Sequence, residues 1–209
     1  MFRSATDELD AIAGHPGPEI GVVENPVDTV SIIPGERNNE FRKEQGLGED
    51  DFLISFAGVL GYSQDLDIVI DAANRIKDDH RIIFFIVGDG VEKSRLMEKA
   101  QGLPNVRFLP MIPKEQYVEL LHASDICLVT LRKTVKTPVV PSKILSIMAA
   151  GRPLIASLPL EGDAPIIVQN AQCGICIEPE NSEMMAKTVI EMIANSENLK
   201  VMGNKGRKY

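Results

Sequence analysis

With 209 residues, 44% of them apolar and 25% charged, the chain has the balance of a folded globular protein and not of a disordered or fibrous one. Its longest unbroken apolar run, Ile82 to Val87, is far short of the ~20 residues that a membrane-spanning helix needs. Thirty acids against 22 Lys and Arg give a net charge of −8, which excludes wholesale binding of nucleic acid or acidic lipid by the general surface. Asp7, Glu8 and Asp10 stand near the start with no apolar segment beside them, which argues against a secretory leader, so a cytoplasmic location is expected. Three cysteines in a chain able to bury a sizeable core are expected to be reduced.

In chain order, residues 1–48 read as a lead-in segment. They hold Gly14, Pro16, Gly17 and Pro18, a short strand candidate over 20–23, an Asn25-Pro26 turn and a helix expected over 36–45. They carry too little apolar surface for a core of their own and are expected to pack on the main domain. Residues 49–195 alternate strand and helix patterns. The strand runs are 52–57, 82–87, 105–109, 125–131, 153–157 and 174–178. Amphipathic stretches lie between them, such as Leu66, Val69, Ala72, Ala73 and Ile76. Strand starts fall 20 to 30 residues apart, room for one crossover helix each, which makes parallel pairing with right-handed connections the economical topology. Near-continuous apolar strands such as IIFFIV suit a sheet covered on both faces. The expected fold is therefore α/β, a doubly wound parallel sheet of about six strands with helices on both faces. Residues 196–209, polar and basic, read as a C-terminal tail or a final helix that frays.

Ligands of an open α/β sheet bind beyond the carboxyl ends of the strands, so the strand-to-helix loops are the places to search. The first is Gly58-Val59-Leu60-Gly61, where glycine lets backbone approach a phosphate, although a tight turn alone explains it equally well. The second, Val87-Gly88-Asp89-Gly90, is half of a dinucleotide fingerprint. Lys93 occupies the third glycine position, and Phe108, Leu109 and Pro110 stand where an acid should close the next strand, so nicotinamide or flavin binding is not expected.

The strongest charge signal comes later. Between Asp125 and Glu161 lie 35 residues without an acid, whereas the composition calls for about five, and among them are Arg132, Lys133, Lys136, Lys143 and Arg152. In an acidic protein that is a field suited to an anion. Ser142 is a candidate N-cap of the following helix. Lys143 in the first helical turn opposes the helix dipole, a conflict that a phosphate on the free amides would remove. A solvated lysine paired with a neighbouring helix is the alternative. The Cys173-Gly174-Ile175-Cys176 spacing lacks the further ligands of a zinc site, and His15, His80 and His122 have no spaced partners. Met184, Met185 and Met192 sit at helical spacing and suit a core.

The run Pro141-Ser142-Lys143-Ile144-Leu145-Ser146-Ile147-Met148-Ala149-Ala150-Gly151-Arg152-Pro153 resembles the donor-site signature of family 4 glycosyltransferases of GT-B architecture. Asn25-Pro26, Gly58-Val59-Leu60-Gly61, Gly88-Asp89-Gly90, residues 105–110, Ala123-Ser124-Asp125 and Cys173-Gly174 fall in the order of that family. The resemblance covers the C-terminal, nucleotide-sugar-binding half of such enzymes, the Rossmann-like half, and its divergent branch acting on cell-surface polysaccharides and lipopolysaccharide O-antigens. It implies a donor pyrophosphate against Gly58, Val59, Leu60 and Gly61 and against the helix start, with Val140, Ser142, Lys143 and Ser146 there. The base is implied near Gly88, Phe108, Leu109 and Pro110.

Val59 and Gln64 stand where the family often has basic residues, and Pro138 and Ser146 where it has paired glutamates. The basic duties would then pass to Lys143, with Lys136 or Arg132 assisting. The function implied is donor binding in a retaining glycosyltransferase that uses a nucleoside-diphosphate sugar, with uridine the preferred base. No cofactor or metal is implied, and no catalytic residue is assigned. The acceptor-binding N-terminal half is not in this sequence, so the fragment alone is expected to be inactive, with any peripheral contact at the inner membrane face made through that half. Two rivals stay open: a nucleotide-sugar epimerase of the same architecture, and a noncatalytic nucleotide-binding or interaction module, which the absent glutamates favour.

Overall fold

The structure, a computed structural model, describes residues 26–135 and 140–209. The strand candidate over 20–23, Asn25, His15, Lys136 and Pro138 lie outside the described residues. Six strands form one sheet: β1 (Phe52–Ala57), β2 (Ile82–Val87), β3 (Val106–Leu109), β4 (Ile126–Thr130), β5 (Leu154–Ser157) and β6 (Gly174–Ile177). All neighbours pair in parallel, in the order β3-β2-β1-β4-β5-β6. The helices are α1 (Glu40–Glu44), α2 (Asp67–Arg75), α3 (Lys93–Lys99), α4 (Lys114–Ala123), α5 (Ser142–Ala149), α6 (Asp163–Ala171), α7 (Ser182–Ala194) and α8 (Ser196–Lys208).

The period of two along each strand sorts its side chains onto two buried faces. Ile54, Phe56, Phe84, Ile86, Ile126 and Leu128 pack with Val69 and Ala72 of α2, Leu96 of α3 and Met185 and Val189 of α7. On the other face Leu53, Ile83 and Phe85 meet Phe41 of α1 and Leu120 of α4, while Cys127, Val129, Leu154 and Ala156 meet Ile144 and Ile147 of α5 and Val168 of α6. With helices on both sides, every residue of β2 is buried, which is why the strands carry no polar alternation. The chain adds β2 and β3 to one side of β1 and then crosses to place β4 on the other. This reversal opens a crevice at the carboxyl ends of β1 and β4.

Three expectations are corrected. The helix expected over 36–45 begins only at Glu40, because Asn39 caps it, its side-chain oxygen accepting from the Arg42 amide at 3.2 Å. Arg37 is instead drawn to Asp125, with Nε 2.5 Å from Oδ1. Residues 196–208 form a complete helix seated on its neighbours: Arg207 donates to the carbonyls of Ile32, Ala149 and Thr29. The acid-free run does not gather at one place. Arg152 precedes β5 at the amino end of the sheet, where it donates to the Gly35 carbonyl, whereas Arg132 and Lys143 lie at the carboxyl end.

At that amino end Asp125 is nearly buried and accepts from Arg37, Arg42 and the Leu53 amide. Arg42, 2% exposed, also donates to the carbonyls of Ala123, Gly48 and Asp51. Satisfying a buried guanidinium this fully is what makes its desolvation tolerable, and it fastens residues 37–51 to the sheet.

Candidate functional site

The loops that follow β1 and β2 lie on each other. The Gly58 amide donates to Val87 O at 2.9 Å, the Leu60 amide to Asp89 O at 2.8 Å, and the Glu92 amide to Leu60 O at 3.0 Å. A Cβ on Gly88 would overlap the Gly58 carbonyl, and one on Gly90 would overlap the Leu60 carbonyl; both residues have φ near +150°. The glycines of the second loop are thus explained by loop stacking, without a dinucleotide. Leu60 is fully buried in the core with its amide and carbonyl both used, so it presents neither side chain nor backbone donor to a ligand. The Val59 and Gly61 amides have no partner among the described residues.

Across the crevice stands the start of α5. Ser142, expected as the N-cap, is its first residue. Pro141 occupies the cap and offers no side-chain oxygen, which leaves the Ser142 and Lys143 amides unpartnered among the described residues.

Lys143 reaches back over the first loop. Its Nζ donates to Gln64 Oε1 at 2.8 Å and lies 4.0 Å from the centroid of the Phe56 ring, and its Cε and Nζ lie 2.7 Å from where a Cβ on Gly58 would stand. The dipole conflict is therefore met by a neutral amide and an aromatic face. Neither cancels the charge. Burial pushes the Lys143 pKa down to about 8.

A cleft of about 370 Å3 opens here. Gly58, Ser142, Lys143 and Ser146 of the expected set line it, together with Met111, Ile112, Lys114 and Tyr117, which sequence reasoning missed. The available signal was the apolar pair Met111-Ile112 in a strand-to-helix loop, with Met111 53% exposed. Burial pushes the Tyr117 phenol up to about 12, so it is neutral. Ser146 Oγ lies 3.5 Å from its own helix's Ser142 carbonyl, a weak bond, and its side chain also interacts with the Tyr117 hydroxyl.

The other expected residues lie apart from this cleft. Phe108, Leu109 and Val140 pack against core clusters, the Leu109 carbonyl accepts from the Gly88 amide, and Pro110 is exposed. Arg132, expected to assist Lys143, is committed elsewhere: it donates to the carbonyls of Tyr62 and Ser63 and stands 3.6 Å from Asp67.

The remaining sequence signals have structural roles. His122 Nε2 donates to the Ile33 carbonyl at 2.7 Å. Cys127, Cys173 and Cys176 are free, with thiol pKa values pushed up to about 11 by burial. Among the described residues no three His, Cys, Asp or Glu side chains are grouped to hold a metal ion, and no helix is long and apolar enough to cross a membrane.

Comparison with known proteins gives a family and a fold. The family described as "Glycosyl transferases group 1" matches residues 37–209. The chain is 31% identical over 147 residues to the "Putative colanic acid biosynthesis glycosyl transferase WcaI" of Escherichia coli K12, covering 69% of this chain and 36% of that protein. Among solved structures, Anabaena Alr3699/HepE in complex with UDP superposes with a TM-score of 0.77 at 20% identity, over 90% of this chain and 51% of that one. The C-terminal domain of the group 1 glycosyl transferase LpcC from Francisella tularensis gives 0.72 at 20% identity, over 88% and 95%. The chain spans half or less of the length of the curated relatives it matches.

Proposed function

The chain belongs to the group 1 glycosyl transferases, and from that premise we propose that it binds the nucleoside-diphosphate sugar donor of a retaining enzyme. The observation that carries this reading is that the Lys143 ammonium, with no counter-ion among the described residues, shares one cleft with Gly58 of the first loop and with the start of α5, where the Ser142 and Lys143 amides are unpartnered among the described residues. A cation beside unpartnered amides at a helix start suits the diphosphate that gathers charge as the sugar departs, and electrostatic stabilisation of this kind commonly contributes most to group transfer. Uridine is the proposed base, since Anabaena Alr3699/HepE, a protein of like fold, is solved in complex with UDP. The proposed acceptor is a cell-surface polysaccharide or lipopolysaccharide, as the name of the Escherichia coli relative suggests, with the reaction on the cytoplasmic side of the membrane.

One observation favours a second reading, a noncatalytic nucleotide-binding module. Ser146 offers one or two neutral hydrogen bonds where the resemblance implies a carboxylate able to hold two ribose hydroxyls. NMR titration with UDP tests the first reading: the Gly58, Gly61, Ser142 and Lys143 amides are expected to shift together. Shifts confined to Gly88 and Gly90 would overturn it.

A further inference from the structure

We propose that Gln64 is the positioning residue of this cleft: its side-chain oxygen holds the Lys143 ammonium over Gly58 without neutralising it, so that the charge stays available to an arriving diphosphate. The inference rests on the nucleotide-binding reading above. Gln64 is itself held on both sides of its peptide: its amide donates to Gly61 O at 3.0 Å, and its carbonyl accepts from Thr130 Oγ1. The side chain therefore starts from a fixed point. An ammonium only donates, so the partner it meets must be the amide oxygen, and Lys143 Nζ lies 2.8 Å from it.

The groups around Lys143 leave its charge uncancelled. Phe56 of β1 is apolar, and Gly58 has no side chain to displace it. From α4, Tyr117 is neutral and Lys114 is paired with Asp28 at 3.3 Å. Helix α5 carries no acid. Asp65, next to Gln64 in sequence, is buried and faces Arg132, Glu180 and Asp67 instead. Among the described residues no carboxylate comes within salt-bridge distance of Nζ.

The chemistry of position 64 is narrow for this reason. A carboxylate there would hold Lys143 equally well but cancel its field, a cation would repel it, and an apolar residue would leave it only the Phe56 ring. A neutral acceptor holds and does not quench. An ammonium has three donor hydrogens, so a phosphate oxygen can be bound without Gln64 letting go.

The test compares the parent chain with Gln64→Glu, which keeps size and shape, and Gln64→Met, which keeps size and removes the acceptor. The Lys143 titration is followed by NMR at its Cε without nucleotide, and UDP binding by calorimetry at pH 7. Gln64→Glu is expected to raise the Lys143 midpoint and weaken UDP binding about tenfold or more. Gln64→Met is expected to lower the midpoint and weaken binding as well. Unchanged midpoints in both variants would overturn the positioning role. Midpoints that move as expected in a protein whose parent form binds no UDP would uphold the positioning of Lys143 and overturn the nucleotide reading.

Discussion

Lys143 is charged at a cost in the folded protein. Its folded pKa of about 8 lies below its unfolded value of 10.5, so between these values the unfolded chain binds more protons, and folding stability rises with pH across that window. Below about pH 8 the penalty is fully present. Replacing Lys143 by Met is therefore expected to raise the thermal midpoint of the free protein at pH 7, read by calorimetry. The same ammonium should bind diphosphate, so Lys143→Ala is expected to weaken UDP binding by about 1.5 to 3 kcal/mol. Parent affinity should fall as pH passes about 8, and the titration curve should flatten in the variant. Gly88 serves the fold: an alanine there must be accommodated at φ +149° and against the Gly58 carbonyl, which is expected to cost about 3 kcal/mol in denaturant unfolding.

At the scale of elements, α8 shows how packing can reverse a propensity. Gly203 and Gly206 stand in the stretch expected to fray, and glycine costs a helix about 1 kcal/mol relative to alanine. In the fold they are the contact surface: a Cβ on Gly203 would overlap the Gly151 carbonyl, and one on Gly206 would come within 2.7 Å of Cys173 Cβ. Gly203→Ala is expected to destabilise the protein by about 1 to 2 kcal/mol, the overpacking exceeding the propensity gain. Asn204→Ala, on the exposed side of the same helix, should show the gain alone. A denaturant midpoint for Gly203→Ala at or above the parent's would mean that α8 is not seated this closely. The strands were easier to read, because IIFFIV is apolar throughout and ICLVT nearly so, and only a sheet covered on both faces buries such runs in short segments.

For the molecule as a whole, the expected outcome is binding without turnover. Transfer needs donor and acceptor held together in attack geometry. The cleft found here is lined by Gly58 of the first loop, by Lys143 and Ser142 of α5, and by the apolar side chains Met111 and Ile112. Incubation of this chain with UDP-sugars and candidate acceptors should release no UDP in an acceptor-dependent way. Steady release would show that the catalytic groups lie within these residues and that no further wall is needed.

The sequence by itself determined the sheet, the crossover topology and the end of the sheet where the cleft opens, because apolar period, strand spacing and loop glycines are local properties of the chain. It also singled out Lys143, through an acid-free run and a cation in a first helical turn. The partners that Lys143 takes were decided only by the tertiary structure: Gln64 is 79 residues away, and only the β4 crossover sets α5 beside the loop after β1. The same holds for Leu60, whose position in a glycine loop suggested a ligand contact until the core claimed its side chain, and for Arg132, which holds the Tyr62–Gln64 turn and faces Asp67. Charge and composition place a residue in a class, but which neighbour satisfies a hydrogen bond or cancels a charge depends on distances that exist only once the helices are laid on the sheet.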